Sequence, residues 1–305
     1  LRKFIPFLQV FKQAFTNLQA NDPVRMAAAT AFFTFFALPP IVIILSTLFS
    51  PVVNQQRVRG TVFHQLAELF GRQGANQLKD ISHHLQKENS SVWLTLLTGV
   101  LLLLASTTLF AVIKNSLNQL WNVKPTVDRT WLNVLKDKGK ALAIIVFSGL
   151  LLTVSLAVDT GAAQLWSRVS PGLSTFDRWT ATVVDQLSSI LVMALWFALV
   201  FKYLPDLRIR WKAIWVGAIV TSLLFGLGEA ILNRLLINSL VSSRYGASGA
   251  IILMLLFVFY SSLIFYYGAT FTRYYAEWTH LDATPKSHSV VYQITEVDNR
   301  KDKSP

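Results

Sequence analysis

The chain has 305 residues, of which 53% are hydrophobic and only 14% are Asp, Glu, Lys or Arg. Soluble domains carry about 25% charged residues, so this composition excludes a disordered chain and argues against a water-soluble enzyme. Lys and Arg number 28 against 16 acids, a net charge of +12, and the absence of cysteine removes disulfides, thiolate metal sites and thiol nucleophiles.

Residues 1–25 open on Arg2 and Lys3 ahead of an apolar run, as a signal peptide would, but Gln9, Lys12 and Gln13 interrupt it and no small-residue cleavage site follows. Phe4, Phe7, Leu8, Phe11, Phe15 and Leu18 share one helical face. That predicts an amphipathic helix, either lying in the inner membrane interface or packed on the rest of the chain. Six apolar blocks follow, at about 26–49, 92–113, 141–163, 183–204, 214–236 and 249–275. Each can cross a hydrocarbon core of about 30 Å at about 1.5 Å per residue. The expected fold is all-α: a polytopic membrane domain over 26–278 with six transmembrane helices.

Pro39 and Pro40 fall midway along the first block, and each removes a backbone donor. A static bend, a hinge or an unwound ligand-facing segment is expected there. In the long connection 51–91, Val62, Leu66, Leu69 and Phe70 recur at helical spacing, as do Leu78, Ile81 and Leu85 beyond Gly71 and Gly74. This predicts a short helical cap on the outer side. Residues 279–305 are polar and are expected to form a mobile cytoplasmic tail.

With both termini inside, the inner segments hold 19 Lys and Arg and the outer ones 9, the bias that orients membrane proteins. Trp93, Trp166 and Trp179 then fall at outer ends; Trp121, Trp131, Trp211, Trp215 and Trp278 fall at or near inner ones. Topology and attraction to anionic lipid account for the basic charge without nucleic acid.

Charged residues inside spans are candidates for function because they are costly there. Asp159 accompanies Ser155 in the third block, and Asp185 accompanies Ser189 in the fourth. Ser222, Glu229, Asn233 and Arg234 lie in the fifth. Lipid cannot satisfy these groups, so the polar stripes are expected to face one another. They either close as interhelical hydrogen bonds or line an outer-facing, water-filled cavity. Tyr260, Tyr267 and Tyr274, seven residues apart in the sixth block, are read as packing. The five histidines form no one-face pair, and no phosphate loop, nucleophile elbow or dinucleotide fingerprint is present. No catalytic residue, metal or cofactor is expected.

Several segments carry a resemblance. Asp22-Pro-Val-Arg25 with Ala27-Ala-Ala29, Phe32-Phe33 and Leu38-Pro-Pro40 is similar to the start of the YihY/BrkB family of bacterial inner-membrane proteins. Leu117-Asn-Gln-Leu-Trp121-Asn-Val123, Tyr203-Leu-Pro205, Leu224-Phe-Gly-Leu-Gly228, Tyr245-Gly-Ala-Ser-Gly249 and Gly268-Ala-Thr-Phe-Thr-Arg273 extend the likeness over about residues 22–276. The resemblance implies six inner-membrane helices, a link with serum resistance, and a role in moving or organising envelope lipids. The family's old ribonuclease BN label finds no metal-ligand cluster here. The chain departs from the pattern at Glu229, where the family leads one to expect Lys, and at Thr270, where it leads one to expect Glu; if an ion pair joins those positions elsewhere, both members are lost here.

The leading expectation is a carrier of an envelope lipid or other amphiphile, its partners being membrane lipids and that amphiphilic substrate. The first alternative is a structural or scaffolding membrane protein that binds an envelope partner or a second copy of itself. The second is a membrane-embedded enzyme acting on lipid.

Overall fold

The computed structural model describes residues 4–48, 107–126, 175–232, 241–281, 283–286 and 288–292, with isolated helical positions at 60, 63, 76, 79–80, 139, 143 and 147. Apart from those positions, the cap expected over 51–91 and the third apolar block lie outside the described residues. The described chain is mostly helical: α1 (Phe4–Ala20), α2 (Pro23–Leu48), α3 (helical over 107–120), α4 (Thr175–Tyr203), α5 (Trp211–Leu232) and α6 (Val241–Trp278).

Local chemistry sets several boundaries. Asp22, Asn122 and His280 adopt left-handed backbone with φ of 52°, 51° and 51°, a conformation that Asn, Asp and His enter more readily than most side chains. Asp22 separates α1 from α2, whose first residue is Pro23, where a missing N–H costs nothing. His280 closes α6, and the Leu281 N–H reaches back to the Ala276 carbonyl at 2.9 Å, satisfying a carbonyl the helix end would leave open. Helical geometry persists through Pro39 and Pro40, so the unwound form of that segment is not adopted. Pro39 is buried.

α6 packs against α1, α2 and α5, and α4 packs on α5. The α1 contact joins Val10 and Ala14 to Phe271, with Phe7 set edge-on to Phe271 and Tyr275. Leu8 and Phe15 stay exposed beside that contact. Thus α1 docks on the bundle through one flank and keeps an apolar edge free.

α5 and α6 approach through small residues. A methyl group on Gly217 would lie 1.8 Å from Thr272 Oγ1, and one on Gly268 would lie 1.9 Å from Thr221 Oγ1. Each threonine hydroxyl turns back to the glycine carbonyl of its own helix, Thr221 to Gly217 at 2.6 Å and Thr272 to Gly268 at 2.7 Å. The pair Gly-x-x-x-Thr on both helices lets two backbones meet with no polar group left open.

The surface is inverted relative to a soluble bundle. Trp215, Ile219, Leu223, Leu227 and Ile231 form an exposed row along α5, and Phe32 and Phe36 on α2 are exposed as well. Among the described residues, Trp211–Ile231 and Ile251–Trp278 are long and apolar enough to cross a membrane.

Within the stretch expected as a mobile tail, residues 284–285 and 289–291 form strands. β3 (Thr284–Pro285) pairs antiparallel with β2 (Leu207–Arg208), and β4 (Ser289–Val291) pairs antiparallel with β1 (Val123–Pro125). The segment as far as Tyr292 folds back because the connections after α3 and α4 offer it backbone partners, something composition does not reveal.

Candidate functional site

At the end of the bundle where α3 and α4 stop, one carboxylate gathers three parts of the chain. Asp206 Oδ1 meets Lys114 Nζ at 2.9 Å, with both side chains about nine-tenths buried (10% and 12% exposed). Asn118 Nδ2 donates to Oδ2 at 2.9 Å, while the Asp206 N–H donates to Asn118 Oδ1 at 2.8 Å. The Asp206 carbonyl accepts from the Lys286 N–H and from Ser289 Oγ, each at 2.9 Å. Lys286 Nζ caps the carbonyls of Tyr203 and Pro205 at the end of α4. Burial raises the Asp206 pKa, but the Lys114 ammonium and the Asn118 amide outweigh it and hold the carboxyl below the usual carboxylate range.

One layer further in, a hydroxyl pair links α2 to α6, and the end of α3 is tied to α6 through Trp121 and the Leu120 carbonyl. Thr30 Oγ1 donates to the Met26 carbonyl at 2.9 Å, so its oxygen is the acceptor for the Tyr266 hydroxyl at 2.6 Å. Trp121 Nε1 donates to the Ala269 carbonyl at 2.9 Å, and Arg273 Nη1 to that of Leu120 at 3.1 Å. Every polar group named in these two layers is answered by another group of the protein. Among the described residues, this end of the bundle is closed.

The other end of α4 differs. Ala194, Ala198 and Phe201 share one helical face and are fully buried, yet Leu187 and Leu191, on that same face, are 54% and 59% exposed. Ser189 is exposed too. The packing face of α4 therefore opens beyond Ala194.

The expected site residues distribute as follows. Asp185 lies in α4. Glu229 is half-buried on the side of α5 that also carries Ala218, Ser222 and Phe225. Ring contacts of Tyr203 with Trp211 and of Phe197 with Phe225 set the register of the two antiparallel helices. They put Glu229 level with residues 185–193, so the polar stretches of α4 and α5 share one depth. Ser222 lies deeper, buried, with its hydroxyl donating to the Ile219 carbonyl at 2.9 Å. Ser155, Asp159, Asn233 and Arg234 lie outside the described residues. Thr270 is fully buried and donates to Tyr266 O at 2.8 Å. It sits between Gly268 and Thr272, whose α5 neighbours are Thr221 and Gly217, about 15 Å along the helix from Glu229. The two departures from the family pattern therefore do not face each other.

Sequence reasoning missed Asp206 and Tyr266. The signal available for the first was Asn118 inside the Leu117–Val123 motif; Tyr266 had none, being one aromatic among many in α6.

The family model described as virulence factor BrkB matches residues 14–291. The chain is similar to a UPF0761 membrane protein of Teredinibacter turnerae, 27% identical over 293 residues, covering 90% of this chain and 61% of that protein. It is also similar to UPF0761 membrane proteins of Chromohalobacter salexigens (23% identical, covering 90% and 66%) and Alteromonas mediterranea (24% identical, covering 83% of each). The chain thus spans about three-fifths to two-thirds of the first two relatives' length. No solved structure matches.

Proposed function

This chain belongs to the virulence factor BrkB family of membrane proteins, and on that premise we propose that it is a six-span protein of the bacterial cytoplasmic membrane, with both termini inside, that carries an envelope lipid or similar amphiphile. The observation that bears most on this reading is the change along α4. Its packing face is sealed from Ala194 to Phe201 and exposed at Leu187 and Leu191, at the depth of Asp185, Ser189 and Glu229. The positive-inside bias makes the sealed end cytoplasmic. The molecule then resembles a carrier closed inside and open outside, with polar groups for a headgroup and apolar walls for chains. No nucleotide fingerprint occurs in the sequence, so a gradient, an ion or a partner would drive transport.

The absence of cysteine allows a direct test. Single cysteines at Ser189 and Ser222 are exposed to a membrane-impermeant thiol reagent in spheroplasts, with outside and inside controls in the 51–91 connection and at Ser304. Labelling at Ser189 and protection at Ser222 is the expected result. Protection at Ser189 while the outside control reacts would reject an outer cavity. Transfer of labelled phospholipid in proteoliposomes then separates carrier from scaffold. The scaffold reading draws its support from the tight α5–α6 contact, which suits a rigid body.

A further inference from the structure

The exposed side of α5 carries two kinds of surface in one line. Trp215, Ile219, Leu223, Leu227 and Ile231 are all exposed and recur every four residues, a row about 24 Å long. At its foot stand Arg208, Arg210 and Lys212, all exposed. Ile209 between the two arginines is buried, at 2% exposure, so the extended backbone turns both arginines outward. Tyr203 lies edge-on to Trp211, with ring centroids 6.3 Å apart. Lys202 braces the corner: its ammonium donates to the Ile209 carbonyl at 2.7 Å and stands 5.4 Å from the centre of the Trp211 ring.

Arg208 and Lys212 are not neutralised from within. Asp206, the acid nearest in sequence, turns to Lys114 and Asn118. Among the described residues, neither Arg208 nor Lys212 has an ion-pair partner. An exposed apolar row of this length belongs in acyl chains, and it begins one helical turn from exposed Trp211. Aromatic rings that are apolar on one side and polar on the other favour headgroup depth. The basic cluster is therefore held at the level of lipid phosphates rather than out in the water, where a soluble acidic partner would meet it.

We propose that this corner is a binding site for an anionic phospholipid of the adjoining leaflet. Its phosphate rests on Arg208 and Lys212, with the charge of Arg210 beside them, its glycerol region lies at Trp211, and one acyl chain follows the row from Trp215 to Ile231. Arginine supplies forked donors for the phosphate oxygens. The site is separate from the opening beside α4, and its failure would leave the carrier reading untouched.

Native mass spectrometry of the detergent-solubilised full chain tests this, titrating phosphatidylglycerol and phosphatidylcholine with the same acyl chains. Phosphatidylglycerol is expected to be retained preferentially. The triple variant Arg208→Gln, Arg210→Gln, Lys212→Gln should weaken its binding about tenfold or more and leave phosphatidylcholine unchanged. Arg300→Gln, Lys301→Gln, Lys303→Gln removes the same charge from the tail and should change neither. Equal binding of the two lipids, or an equal loss in the tail variant, would overturn the site. So would displacement of phosphatidylglycerol by millimolar inorganic phosphate or by a polyglutamate peptide, the first pointing to a free anion and the second to an acidic protein. Should the triple variant not fold, Lys212→Glu alone must lower phosphatidylglycerol retention at an unchanged unfolding temperature.

Discussion

Gly217 on α5 and Thr272 on α6 fit so closely that a Cβ on the glycine would stand 1.8 Å from the threonine oxygen. Thr221 and Gly268 repeat the arrangement in the opposite sense at 1.9 Å. The reciprocity fixes the register of the two helices that, among the described residues, are long and apolar enough to span.

Gly217→Ala and Gly268→Ala should each destabilise the protein by about 1–3 kcal/mol, since the helices must part to admit the methyl group. Gly226, on the same helix as Gly217, faces open space, with nothing within 4 Å of the place a methyl group would take. Gly226→Ala should be neutral or stabilising by up to about 1 kcal/mol, because alanine suits a helix interior better. Unfolding in detergent, followed by circular dichroism, orders the three variants. A Gly217→Ala protein as stable as the parent would disprove the close contact.

Asp206→Asn should be costly, about 3–5 kcal/mol, because it strands the Lys114 ammonium in a nearly buried place. Lys114→Met combined with Asp206→Asn should recover part of the loss. The pair also sets a pH dependence. Asp206 has a lowered folded pKa, so its contribution is complete above the unfolded carboxylate value of about 3.9 and is lost as pH falls through the folded value. Melting temperatures measured from pH 7 downward should fall more steeply below that point in the parent than in the Asp206→Asn variant. Parallel curves would count against the assignment.

The Thr30–Tyr266 bond joins residues 236 positions apart. In a double-mutant cycle with Thr30→Val and Tyr266→Phe, the coupling should be about 0.6–1.7 kcal/mol, the scale of interhelical hydrogen bonds in membrane proteins. Zero coupling would mean that the hydroxyls find other partners at no cost.

A chain ending after Leu281 should unfold at a lower temperature than one ending after Tyr292 and be cut sooner by protease near Asp206. Ser289→Ala removes the hydroxyl that donates to the Asp206 carbonyl and should cost about 1 kcal/mol. Equal behaviour of the two truncations would show that the β3 and β4 pairings add no stability.

Much of this could be read from residue order. α5 and α6 were legible because a long uninterrupted apolar run is a local property, and the α1 stripe because six apolar residues share one face. Placing α1 on α6 was not legible, since Leu8 and Phe15 look as apolar as Phe7 and Phe11 until the partner helix selects a flank. Ser222 and Ser189 read alike in sequence, yet one is buried on its own backbone and the other exposed, because which side of a helix is covered depends on the neighbours that the fold brings to it.

The sequence by itself determined that the chain is a helical membrane protein. Hydrophobicity and length are summed residue by residue, and no contact is needed to evaluate them. Tertiary structure alone decided where the polar groups go. Asp206 sits in a short connection with no periodicity, and its partners come from α3, 88 positions away at Asn118, and from a returning tail. A buried carboxylate must find donors wherever the fold brings them. That requirement is met in space, at distances along the chain that no local pattern records.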